Sequence, residues 1–104
     1  MLDLNNLAQI CLANAERRQK NGANITTETR KMLKHCATEV VEATEAYTEW
    51  NEGEDREREF SSELSDIICC CLIIAGKENI DIEEAILNCI KKNRKRADKK
   101  GDKL

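Results

Sequence analysis

The chain has 104 residues, 17 of them basic and 20 acidic, for a net charge of -3. That length leaves room for one small domain near the lower limit for a single core and excludes a second. Without proline, with only four glycines and 3% aromatic residues, little interrupts helix formation, so an all-α fold is expected with aliphatic side chains and cysteines filling the core. A lone protomer of this kind is marginal.

The first residues, Met1-Leu2-Asp3-Leu4-Asn5, lack the basic start and apolar run of a signal peptide. No apolar stretch reaches membrane-spanning length, and a cytoplasmic location is expected. The spacing predicts a first helix from Leu2 to Lys20, with Leu4, Leu7, Ala8, Cys11 and Ala15 as its apolar stripe and Asn21-Gly22 as its stop. A second helix is predicted to begin behind Thr26 or Thr27 and to run to about residue 50, carrying Met32, Leu33, Cys36, Ala37, Val40, Ala43, Ala46, Tyr47 and Trp50.

Asn51-Glu52-Gly53 gives the turn before a third helix, under way by Phe60 and ending near Gly76. Every residue from Ile67 to Ala75 is apolar, so this half of the helix needs cover on all sides, and the expectation is at least a dimer. Cys69, Cys70 and Cys71 fall within it. With no C-x-x-C pair and no histidine partner, they are read as reduced core residues and not as a zinc site. Asp81 and Glu84 form a D-x-x-E start for a fourth helix, with Ile82, Ala85, Ile86, Cys89 and Ile90 as its buried face. That helix ends among Lys91, Lys92, Arg94, Lys95 and Arg96, and residues 98–104 are expected to fray. The basic end either complements the helix dipole as a solvated terminus or meets an anionic ligand.

The acids carry the chemistry. Glu39 and Glu42 lie three apart on the second helix, and Glu63 and Asp66 three apart on the third, so each pair projects from one helix face. In an antiparallel hairpin, positions with equal index sums stand at equal height. The pairs Glu39 with Asp66 and Glu42 with Glu63 satisfy that condition, and the midpoint they define, between Glu52 and Gly53, falls on the turn. Glu39 continues the row of Cys36, Ala43, Ala46 and Trp50, and Glu63 sits between Phe60 and Ile67, so the acids point toward the packed interface. Carboxylates converging there repel one another and call for a counter-charge, for which the hard, oxygen-ligated Mg²⁺ is the natural choice. The alternative is a set of solvated helix acids paired with nearby Lys and Arg. A di-iron bundle is disfavoured, since its Glu-x-x-His signature is missing and His35, the one histidine, is read as an ordinary helix residue.

Glu39-Val-Val-Glu42 followed after twenty residues by Glu63-Leu-Ser-Asp66 resembles the E-x-x-E plus E-x-x-D signature of the MazG-like all-α pyrophosphohydrolases. The likeness extends to Lys34 ahead of the first motif, to the apolar run after Asp66, to the helix start at Asp81 and to the ending Lys92-Asn93-Arg94-Lys95-Arg96. It covers residues 34–96 of a single domain, 1–104. Many members carry a double acid where this chain has Thr38, a departure that leaves the four acids intact.

The resemblance implies a four-helix bundle-like protomer assembling into a dimer or tetramer, with Mg²⁺ held by Glu39, Glu42, Glu63 and Asp66. It implies hydrolysis of a nucleoside triphosphate to its monophosphate and pyrophosphate, with Lys34, Lys92, Asn93 and Arg96 as nucleotide-binding candidates. Trp50 is either a stacking surface for the base or a core or interface anchor. A phosphoribosyl-ATP pyrophosphohydrolase is the alternative within the family, and Thr38 favours the nucleoside triphosphate. The alternative outside it is a helical interaction module; no membrane partner is expected, and no base-reading motif supports specific nucleic-acid recognition.

Overall fold

Among the described residues four helices form close to where the apolar spacing places them: α1 (Leu4–Lys20), α2 (Thr29–Asn51), α3 (Glu57–Lys77) and α4 (Ile82–Ala97). They are taken from a computed structural model, which describes residues 3–53 and 55–99. Among the described residues there is no strand, and the protein is all-helical. Leu2 and residues 100–104 of the tail expected to fray lie outside the described residues.

The helix boundaries follow from local chemistry. Asp3 caps α1 by accepting the Asn6 N–H at 3.1 Å, and Gly22 closes its other end at a φ of +92° that only glycine adopts readily. Arg17, Arg18 and Lys20 occupy the last turn of α1, where cations face the carbonyl end of the helix dipole. The start of α2 differs from expectation. The Thr26 hydroxyl accepts the Glu28 N–H at 3.0 Å, turning the chain before the helix, so Glu28 and not Thr26 or Thr27 is the boundary residue.

An antiparallel hairpin of α2 and α3 forms the frame. Gly53, at a φ of +98°, makes the turn, and Arg56 ion-pairs with both Glu49 and Glu59 to brace it. Tyr47, Trp50 and Phe60 pack together at this closed end, with ring centroids 5.4–6.1 Å apart. At the far end the Thr29 hydroxyl donates to Glu78. Contacts of Thr29 with Glu78, Cys36 with Cys70 and Tyr47 with Phe60 keep close to the register that the spacing of the acids predicts.

α1 lies against α3 through small residues. Ala8, Leu72 and Ala75 form a buried cluster joined by Leu7, Cys11 and Ile82. A Cβ on Gly76 would stand 2.9 Å from the Ala8 carbonyl oxygen, so the helices approach at a point that glycine alone permits. α4 packs chiefly on α1. Its cap is shared, because Asp81 accepts both the Glu84 N–H at 3.0 Å and the Asn5 side-chain amide at 2.9 Å.

The apolar cover that the sequence demands is incomplete within the chain. Cys70, Leu72 and Ala75 are buried, but Ile68 is 60% exposed, and Leu33, Val40 and Leu64 are also exposed. Of the expected α4 face only Ile82 is partly covered; Ala85, Ile86, Cys89 and Ile90 are exposed. Of the cysteines read as core, only Cys70 is buried, its thiol donating to the Met32 carbonyl at 3.4 Å, while Cys69, Cys71 and Cys89 are exposed. The radius of gyration, 16.3 Å, exceeds the roughly 13 Å of a compact chain of this length, which agrees with faces left uncovered. No described helix is long and apolar enough to cross a membrane.

The α1–α3 contact makes a test. Gly→Ala inside a helix ordinarily stabilises by about 1 kcal/mol, whereas Gly76→Ala forces Cβ against backbone. Chemical denaturation is expected to show a loss of about 1–3 kcal/mol; a gain would contradict the packing.

Candidate metal centre

Helix geometry builds the centre from the hairpin. Glu39 leaves α2 on the row of Met32, Ala43 and Ala46, all buried, and is itself only 9% exposed. Glu63 and Asp66 leave α3 one turn apart. The three bring one carboxylate oxygen each within 4.8 Å of one another. Glu42 stands outside this group of three and lies against Glu63. All four acids singled out in the sequence are therefore neighbours. The pairing differs in detail from the equal-height picture, because Glu63 touches both Glu39 and Glu42.

The electrostatics follow from this crowding. The hydrogen bond to Glu39, the loss of water and the charges of Glu39 and Asp66 push the Glu63 carboxyl up from its ordinary value, and the contact with Glu42 opposes the rise. Glu63 Oε2 is buried and has no hydrogen-bond partner. An orphaned carboxylate oxygen among other carboxylates is the environment a cation relieves. The donor set is all oxygen, which suits a hard ion such as Mg²⁺ and not a thiophilic one.

A cleft of about 840 Å³ opens beside the acids, between α1, the loop after it, α2 and α3. Glu39 and Asp66 line one wall, Arg18 and Lys31 supply cations, and Gln19, Asn24 and Thr26 supply amide and hydroxyl groups. Ile25, Met32 and Ile73 give it apolar surface. Of the other sequence candidates, Lys34, Lys92, Asn93 and Arg96 do not line this cleft. Lys92, Asn93 and Arg96 stand on α4, whose chief neighbour is α1. Trp50 is packed against Tyr47 and Phe60 at the hairpin turn and is also absent from the lining.

Several residues of the centre were not singled out as site residues in the sequence. His35, read there as an ordinary helix residue, lines the cleft and places Nε2 at 2.9 Å from Glu39 Oε1. Its signal was present, since residues four apart share a helix face. Arg18, Lys31 and Asn24 carry no such signal, because their placement depends on how α1 and its loop pack. Compared with known proteins, the chain matches no family model, no curated protein and no solved structure.

The raised Glu63 carboxyl has a consequence for stability. In the cation-free protein the folded state holds this proton more tightly than the unfolded chain, whose glutamate titrates near 4.5. The contribution is full below that value and is lost as pH rises through the folded value above it. Thermal melts without divalent ions are expected to show stability falling with pH over that interval, and Glu63→Gln to flatten the fall. An unchanged slope in the variant would contradict the raised Glu63 carboxyl.

Proposed function

We propose that the chain is a Mg²⁺-dependent nucleoside triphosphate pyrophosphohydrolase, cleaving an NTP or dNTP with water to the monophosphate and pyrophosphate. The observation that carries this reading is the meeting of Glu39, Glu63 and Asp66 around an orphaned carboxylate oxygen, at the wall of a cleft that also holds cations. The likeness of the two acidic motifs to the MazG-like signature supports it.

Glu39, Glu63 and Asp66 would hold the metal, with Glu42 positioned by its contact with Glu63. When bound, Mg²⁺ supplies charge neutralisation of the triphosphate and lowers the pKa of coordinated water. Arg18 and Lys31 face the same space and offset phosphate charge that the acids would otherwise repel. Asn24, Gln19 and Thr26 offer hydrogen bonds to base or sugar, and Ile25, Met32 and Ile73 exclude water from that end. A carboxylate not engaged in holding the ion can accept the proton of the attacking water.

The proposal includes assembly. The exposed apolar residues of the hairpin, Leu33, Val40, Leu64 and Ile68, together with Ile86 and Ile90 on α4, form faces suited to a second copy of the chain. Lys92, Asn93 and Arg96 contribute to nucleotide binding where α4 of one copy meets the cleft of another. Six free thiols suit the reducing cytoplasm, where we place the protein.

Pyrophosphate release with Mg²⁺, measured over the common NTPs and dNTPs beside phosphoribosyl-ATP, tests the activity. Turnover of one or more nucleoside triphosphates is expected, and Glu63→Gln should lower it by at least about 100-fold, beyond what losing an outer-shell partner costs. Exclusive turnover of phosphoribosyl-ATP would move the protein to histidine biosynthesis, and full activity in the variant would overturn the metal centre. Light scattering at micromolar concentration is expected to give at least a dimer; a stable monomer would contradict the assembly.

A further inference from the structure

Among the described acids Glu39 is the one most withdrawn from water, at 9% exposure, and a carboxylate there needs a partner for each oxygen. On the hairpin side it meets Glu63 and Asp66, one carboxylate oxygen of each lying within 4.8 Å of its own. On the other side His35, one turn earlier on α2, brings Nε2 to 2.9 Å from Oε1. The contact requires the proton on Nε2, with the ring donating and the carboxylate accepting. Glutamate has three side-chain torsions and loses considerable freedom when fixed. A donor that grips one oxygen therefore sets where the other points.

The geometry assigns His35 as a positioning residue that holds Glu39 through Nε2–H···Oε1 and aims its carboxylate at the cation centre between α2 and α3. The assignment rests on the metal-centre reading above. It reverses the usual outer-shell order, in which an imidazole binds the metal and a carboxylate stands behind it. Here the carboxylate binds, and the imidazole stands behind. His35 also lines the cleft, and its side chain is 57% exposed, so its removal leaves no cavity in the core. A purely structural role predicts a change in folding stability; a positioning role predicts a change in cation affinity at unchanged fold.

The experiment is a Mn²⁺ titration followed by electron paramagnetic resonance, on the full chain and on His35→Leu and His35→Gln, with helical content checked by circular dichroism. Glutamine can set an amide N–H where Nε2 stands, and leucine cannot. Expected are wild-type binding, a dissociation constant raised about 10-fold or more in His35→Leu, and binding in His35→Gln nearer the wild type. Equal affinity in wild type and His35→Leu overturns the assignment, as does His35→Gln binding no better than His35→Leu. Absence of Mn²⁺ binding by the wild type overturns the underlying metal-centre reading, and the assignment falls with it. If His35→Leu loses helical content, His35→Gln alone decides, against the wild type and Glu63→Gln: affinity near the wild type supports the hydrogen bond, and affinity as low as that of Glu63→Gln overturns it.

Discussion

Like charges held together by a rigid hairpin are the constraint on which the candidate site turns. α2 and α3 are braced at one end by Arg56 with Glu49 and Glu59 and by the Tyr47, Trp50 and Phe60 rings, and at the other by Thr29 with Glu78. Between those clamps Glu39 is only 9% exposed and Glu63 is half-buried. Their meeting raises the Glu63 carboxyl and leaves one of its oxygens orphaned, while the His35 ring stands 2.9 Å from Glu39. A group of this kind is poor as a stabilising device and well suited to receiving a cation. Folding supplies the arrangement, and a ligand ion would repay it.

Much of this was legible in the residues themselves. The all-helical class, the four helices and the hairpin follow from the lack of proline, the 3.6-residue apolar spacing and glycine at the turns, all of them local signals. The neighbourhood of the four acids followed from spacing alone, because two helices joined by a short turn leave little freedom in register. What spacing could not give is which carboxylates touch. Side-chain reach across the interface puts Glu63 between Glu39 and Glu42, a matter of torsions and not of sequence position. The cleft was out of reach for a different reason: Arg18, Gln19 and Asn24 enter it only through the packing of α1 on α3, a long-range arrangement fixed by the close approach at Gly76.

The burial expected from composition exposes the limit of reading one chain by itself. An apolar run from Ile67 to Ala75 demands enclosure, yet Ile68 and Cys71 remain open, and α4 buries no residue fully among those described. Intrinsic apolarity specifies that a surface is to be covered and is silent on what covers it. The same gap bears on the site, since α4 carries Lys92, Asn93 and Arg96, while the cleft draws its cations from Arg18 and Lys31. In the proposed function, assembly and nucleotide recognition would be linked through this one helix.

The central claim is that Glu39, Glu63 and Asp66 form a divalent-cation centre, and a crystal grown with Mn²⁺ and measured at its absorption edge tests it most directly. The expected result is an anomalous peak between α2 and α3, about 2.1 Å from an oxygen of each of the three carboxylates. A map with no peak there, or with peaks only at surface acids elsewhere, would contradict it.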